Sequence, residues 1–328
     1  MHREAVKRRS TSVSAVLRSS DAKWLADLFD VGANPRLVGP VDRGVQGQVW
    51  RLETDEGWYA VKEALWPLDD HQALLANEFQ ARAMAHGVSA PPAVVARDGR
   101  VIIRDRGEPV RLFRWMRMDG PDRSVDPGDV GRMVAALHRA GGHVIGDIHP
   151  WYVEPVGIDG WHQLVAELRQ AGAPFSADLA GLVDALLEAE LILTPPAGPL
   201  TVCHRDLWAD NVRRVPGNGL AVIDWDNCGP ESADQELSML FVEFGGSRER
   251  VRTLYQAYCA AGGPGRVRSV SDFTMPVAVL GHIGEQACRQ WLQAMTENDR
   301  MRAHRRIREF LGEPFTRDVI DQMLSWLN

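Results

Sequence analysis

Three observations predict an α+β chain of two parts. The first third alternates apolar and polar residues in short, strand-length runs. The remainder carries apolar residues at helical spacing, and one mixed stretch between residues 200 and 224 interrupts it with short strands. Strands first and helices later is the order of an α+β protein with two lobes rather than of a βαβ repeat.

The elements follow in order. Ser20-Asp21 predicts an N-cap before a helix over 23–29. Two strands, over 48–53 and 58–62, are joined by Asp55-Glu56-Gly57 as a hairpin. A helix over 72–86 follows, then strands over 100–104 and 110–115, with Asp98-Gly99 and Arg106-Gly107 as turns. After Asp119-Gly120-Pro121 a helix over 129–139 sets Val130, Met133, Val134 and Leu137 on one face and stops at Gly141-Gly142. Ser176 is placed to cap another, with Leu179, Leu182, Val183, Leu186 and Leu187 as its apolar side. Pro195-Pro196 breaks the chain, strands over 200–203 and 220–223 flank a loop, and helices resume near Asp234. The expected division is a tail and leading helix over 1–34, a sheet part over 35–118 and a helical part over 119–328.

Composition narrows the class. With 328 residues, 45% hydrophobic and 25% charged, the chain has material for two domains. A net charge of -7 argues against nucleic acid as the main partner, which usually meets a basic face. No apolar run approaches the ~18 residues of a membrane span. The basic start (Arg3, Lys7, Arg8, Arg9, Arg18) lacks the apolar segment of a secretory signal and reads as a frayed tail. Cys203, Cys228, Cys259 and Cys288 are dispersed, as reduced thiols of a cytoplasmic protein would be.

The chemistry is concentrated in His204-Arg205-Asp206-Leu207-Trp208-Ala209-Asp210-Asn211, followed by Val222-Ile223-Asp224-Trp225-Asp226. Phosphoryl transfer needs this spacing. Asp206 can accept the proton of an attacking hydroxyl. Asn211 on the same loop and Asp224 after a short hairpin can hold Mg²⁺ on a nucleotide. Upstream, Gly44 and Gly47 lie in a turn whose backbone amides can approach phosphates, although a plain hairpin turn has the same composition. Lys62 ends Tyr59-Ala60-Val61-Lys62, a nucleotide-lysine pattern that alone would equally describe a solvated strand end. Glu78 on the next helix is a partner for it.

These residues resemble the aminoglycoside phosphotransferase group of small-molecule kinases over roughly residues 35–300. The resemblance implies a bilobal protein-kinase-like fold, with an N-terminal antiparallel sheet plus helix and a larger, mainly helical C-terminal lobe. It implies Asp206 as base, Asn211 and Asp224 as metal ligands, and Lys62 and Glu78 at the nucleotide. It implies a hinge at Trp115-Met116-Arg117-Met118 whose backbone meets adenine. ATP or GTP is the donor, and a small hydroxylated molecule, cationic by this resemblance, is the acceptor. His204 either braces the loop or joins the chemistry. The run departs from the group in Arg205, where glycine is frequent. It departs from protein kinases in Trp208, in Asp224-Trp225-Asp226, and in the absence of an A-P-E segment.

The acceptor region is expected after Asp226. Glu231, Asp234, Glu236 and Glu243, then Glu285, Glu297 and Asp299, give an acidic bias that would attract an amino sugar, or else form solvated helix faces. Asp226 is a metal, neighbouring, acceptor-site or structural residue. Trp151, Trp161 and Trp291 are core residues or sugar platforms. The run Arg300, Arg302, Arg305, Arg306 and Arg308 is a solvated face. The functional expectation is an O-phosphotransferase acting on an aminoglycoside or related antibiotic. The alternatives are a kinase of an amino alcohol, sugar or amino acid, and a nucleotide-binding pseudokinase regulator.

Overall fold

A computed structural model describes residues 17–43, 47–65, 68–196, 198–217 and 219–327. The chain divides into two units. One holds the chain up to Asn77 together with Pro91–Arg117. The other holds Glu78–Ala90 and Met118 onward.

In the first unit, β1 (Arg36–Arg43), β2 (Gly47–Thr54), β3 (Gly57–Ala64), β4 (Ala93–Val94) and β5 (Val110–Arg114) form one antiparallel sheet in the order β1-β2-β3-β5-β4. Thr54 pairs with Gly57, leaving Asp55-Glu56 as a two-residue turn. Gly57 closes that turn at a φ of 140°, open to glycine and costly for other residues. Alternation turns Trp50, Leu52, Tyr59, Val61 and Leu112 to one buried face. Helix α1 (Ala22–Phe29) covers it with Leu25, Ala26 and Phe29, so the leading helix shares the sheet's core. Burying each large side chain there contributes about 1.5–3 kcal/mol. On the same face Glu63 is fully buried, accepting from Gln48 Nε2 (2.6 Å), Trp50 Nε1 (2.9 Å) and the Leu17 amide (3.0 Å).

One local expectation fails in this unit, and another holds in position but not in contact. Residues 100–104 form no strand, and only Ile103 bridges to Val110. Arg100 is instead tied to both Asp98 (2.7 Å) and Asp105 (2.6 Å), which folds the segment into a turn and leaves β4 as the edge. Asp21 stands at the N-cap of α1, but its carboxylate accepts the Arg18 amide at 2.8 Å and caps the preceding 3-10 turn Ser19–Asp21.

Helix α2 (Asp70–Ala85) has residues in both units, divided after Asn77. In the second unit α3 (Pro127–Gly141) opens on Asp126, whose side chain caps Asp129 N at 2.9 Å, and closes at Gly142 with φ 66°. Helices α4 (Gly157–Gln170) and α5 (Ser176–Glu190) pack with α8 (Thr274–Leu292) and α9 (Glu297–Gly312) around Trp161, Leu168, Leu179, Val183, Trp291 and Ile307. Trp161 and Trp291 are therefore core residues. Helix α4 was not foreseen, because Gly157, Asp159 and Gly160 are poor helix formers; burial of Trp161, Leu164, Val165 and Leu168 at helical spacing outweighs them. Ser176 is the first residue of α5, and Phe175 holds the cap position.

The remaining elements are β6 (Thr201–Cys203), β7 (Val212–Val215), β8 (Gly219–Val222), β9 (Gly229–Glu231), α6 (Ala233–Phe244), α7 (Arg248–Ala260) and α10 (Arg317–Leu327). The strands flanking the 204–211 loop do not pair with each other. β6 pairs with β9, and β8 with β7. No helix among the described residues is long and apolar enough to cross a membrane.

Candidate active site

Strand β6 delivers the chain into the 204–211 loop, and the β7–β8 hairpin returns it. Val212 pairs with Val222, and beyond that pair the Ile223 amide donates to the Asn211 carbonyl at 3.0 Å. Register alone thus brings Asn211 and Asp224 to the same open end of the hairpin. Asp224 is left-handed at φ 59°, and the 3-10 turn Trp225–Asn227 follows it.

Asp206 lies half-buried at this end. Asn211 Nδ2 donates to its carbonyl (2.8 Å) and to its Oδ2 (3.0 Å), and Asn227 Nδ2 donates to the same Oδ2 at 3.0 Å. A carboxylate only accepts, so both amides must turn nitrogen toward it. Asn227 is the neighbour of Asp206 that sequence reading missed. Its only signal is an amide three residues after Asp224.

The loop is anchored from behind. Arg205 is left-handed at φ 62°, a conformation that costs about 1–3 kcal/mol and persists because its surroundings offset that cost. Its amide donates to Glu236 of α6. Its guanidinium donates to the carbonyls of Asn227 (2.7 Å) and Cys228 (3.2 Å) and lies 4.5 Å from the Tyr152 ring centroid. Glu236 also meets His138 Nε2 at 2.8 Å, and His138 Nδ1 meets the Tyr258 hydroxyl at 2.7 Å. Burial pushes the Glu236 carboxyl up, but hydrogen bonds from His138 and the Arg205 amide outweigh it and hold the group below its ordinary value.

His204 is fully buried, and desolvation lowers its imidazole below the usual value. A neutral ring beside the Ile223 carbonyl (3.2 Å) must carry its proton on Nε2. His204 therefore braces the loop against the end of β8, out of reach of a solute. Burial pushes the Cys228 thiol up to about 12 and raises Cys203 as well, so neither is poised as a nucleophile.

In the first unit, Lys62 lies on β3 opposite Val49 and Arg111, on the face away from Val61 and Glu63. A Cβ on Gly47 would stand 3.7 Å from Lys62 Cε and 2.9 Å from the Glu63 carbonyl, so the chain at Gly47 passes close beside the lysine. Gly44 lies outside the described residues. Trp115 donates its amide to the Trp58 carbonyl at 3.0 Å. Met116 and Met118 sit where the chain passes from the first unit, ending at Arg117, to the second. Glu78 is exposed on α2.

The acidic residues expected at an acceptor site separate sharply. Glu231 is fully buried, and desolvation pushes its carboxyl up to about 8. Glu236 and Glu243 are buried too, Glu243 accepting the Ala209 amide at 2.9 Å and Arg123 Nε at 3.1 Å. These three carboxylates are structural and do not form a cation-attracting surface. Asp234, raised by burial, accepts the Arg266 amide. Glu285 is held low, first by His282 and then by Arg289 (2.8 Å). Asp226 is half-buried in the turn after Asp224. Next to the 204–211 loop stands an apolar wall instead, in which Trp208 and Trp151 pack with Tyr152, Met239, Val279 and Ile283. Trp151 also stacks on His282, with centroids 4.9 Å apart.

The sequence matches the model of the phosphotransferase enzyme family over residues 38–270. The chain belongs to that family. Spectinomycin phosphotransferase, solved with ADP and spectinomycin, superposes on this family member with a TM-score of 0.68 at 12% identity, covering 94% of this chain and 98% of that one. The likeness shows the fold: the sheet-then-helices architecture is that of the protein-kinase-like phosphotransferases. Among curated relatives, the homoserine kinase of Gluconacetobacter diazotrophicus is 33% identical over 145 residues, 43% of this chain and 44% of the relative. The homoserine kinase of a Bradyrhizobium species is 27% identical over 205 residues, 60% and 61% of the two chains. The matches thus span about half the length of those relatives.

The residues fit a magnesium ion. Asn211 commits its nitrogen to Asp206, which leaves amide Oδ1 for another partner, and Asp224 adds a carboxylate at the same end of the hairpin. Magnesium takes such hard oxygen donors.

Proposed function

We propose that this phosphotransferase moves the γ-phosphoryl group of ATP to the hydroxyl of a small metabolite, an amino acid or amino alcohol of the homoserine type. The observation that carries the reading is the Asp206 carboxylate held by two amides beside an apolar wall, with the nearby Glu231, Glu236 and Glu243 turned inward. A polycationic amino sugar would gain little from buried carboxylates, whereas a compact acceptor needs one aligned hydroxyl and a closely packed wall. The homoserine kinase relatives support the same class. The resemblance to aminoglycoside phosphotransferases supports the antibiotic reading, which has less behind it.

Asp206 orients the acceptor hydroxyl and takes its proton as the oxygen bonds to the γ-phosphorus. The bond to the bridging oxygen breaks, and ADP leaves with the electron pair. Lys62 steadies the nucleotide phosphates, and the 115–118 segment offers backbone to the base. Magnesium, when bound by Asn211 and Asp224, supplies neutralisation of phosphate charge. Positioning dominates, so Asp206 needs no raised proton affinity.

ADP release from Mg·ATP and GDP release from Mg·GTP should be measured across L-homoserine, other amino alcohols, sugars and aminoglycosides, with Asp206→Ala as the blank. Stimulation by homoserine or an amino alcohol, lost in the blank, is expected. Stimulation by an antibiotic alone would replace this reading with the resistance enzyme. Nucleotide binding with no acceptor turned over would favour the regulator.

A further inference from the structure

The catalytic loop and the segment after Asp224 are joined in a closed ring. Arg205, adjacent to Asp206, donates from Nε to the Asn227 carbonyl at 2.7 Å, and Asn227 returns its Nδ2 to Asp206 Oδ2 at 3.0 Å. One residue makes both contacts, through main chain and side chain. Gly229 leaves the guanidinium room: a Cβ there would stand 2.5 Å from its nearest nitrogen and 2.7 Å from Cζ. Glu236 accepts the Arg205 backbone amide.

We infer that Asn227 is a positioning residue for phosphoryl transfer. Clasped by Arg205, it joins Asn211 in holding Oδ2 of the Asp206 carboxylate and so fixes the orientation in which that carboxylate meets the acceptor hydroxyl. The inference rests on reading Asp206 as the base. The terminal torsion of an aspartate is broad and roughly two-fold, so the chain by itself does not decide which oxygen faces the substrate. Two N–H donors converging on one oxygen fix the carboxylate's rotation. A carboxylate misplaced by about 1 Å can cost on the order of 10²-fold in rate.

Asn227→Asp separates positioning from packing, since it keeps the shape but sets an acceptor against an acceptor. Initial rates should be measured on the full chain with Mg·ATP, using L-homoserine and, separately, water as the only acceptor. The variants are Asn227→Ala, Asn227→Asp, Gly229→Ala and Asp206→Ala, each checked for a native unfolding transition. Asn227→Ala should lower kcat by about 10–100-fold with the KM for ATP nearly unchanged. Asn227→Asp should be lower still, and Gly229→Ala should follow Asn227→Ala because it displaces Arg205. Wild-type kcat in Asn227→Asp, beside an inactive Asp206→Ala, would overturn the positioning role and leave the base assignment standing. Wild-type turnover in Asp206→Ala would remove the base assignment itself. Should neither acceptor turn over, crystal structures of the wild type and Asn227→Ala decide. A reoriented Asp206 carboxylate upholds the role, and an unchanged one overturns it.

Discussion

The loop at 204–211 and the stretch at 231–243 both carry acidic side chains, and they are used in opposite ways. In the loop, Asp206 stays half-open with its carboxylate held by Asn211 and Asn227. In the later stretch, Glu231, Glu236 and Glu243 are buried, and two of them accept loop amides, those of Arg205 and Ala209. The second region is scaffold for the first. Charge read along a sequence therefore says little about charge presented to a solute. Burial sorts the same residue type into reagent and brace.

The comparison can be broken most severely at the reagent end. Asp206→Ala should cut transfer by about 10²–10⁴-fold while calorimetry finds ATP bound almost as tightly as before. Near wild-type turnover would mean the base lies elsewhere. Asp224→Ala should weaken Mg·ATP binding on the order of tenfold or more, and chelating the metal should reduce the difference between variant and wild type. Equal affinities in excess magnesium would remove Asp224 from the metal site.

At the scaffold end the sign reverses. Glu231 rises from 4.5 to about 8 in the fold, so the native state keeps a proton that the unfolded chain releases over that range. Its contribution to stability therefore falls as pH rises from about 4.5 to about 8 and levels off above. Glu231→Gln should raise the Tm at pH 8, by the equivalent of a few kcal/mol at most, and flatten the pH dependence of unfolding. A lower Tm at pH 8 would show that the ionised carboxylate is stabilised there. The smallest effect is expected on the exposed α9 face, where Arg302 meets Asp299 at 2.9 Å with its side chain 68% exposed. Arg302→Gln should change stability by less than ~0.5 kcal/mol in denaturant titration.

The legible part of the site was the part encoded over short distances. Asp206 and Asn211 share one loop, and Asp224 follows across a tight hairpin, so spacing alone predicted their proximity. Asn227 was invisible because nothing in a lone amide says that it turns back onto Asp206; the 3-10 turn and the Arg205 contact decide that. The strand expected over 100–104 failed for a related reason. Its β-forming residues were right, but Arg100 found two carboxylates closer than a neighbouring strand.

By itself the sequence determined the strands-then-helices order, a turn at Asp55-Glu56-Gly57 and the closeness of Asp206, Asn211 and Asp224. These rest on local periodicity, on glycine at a positive φ, and on short-range spacing. Tertiary structure alone decided that β6 joins β9, that Glu231 and Glu236 face inward, that His204 is a brace, and which oxygen of Asp206 its two amides hold. Each depends on partners distant in the chain, and burial and hydrogen-bond geometry exist only once the chain has folded.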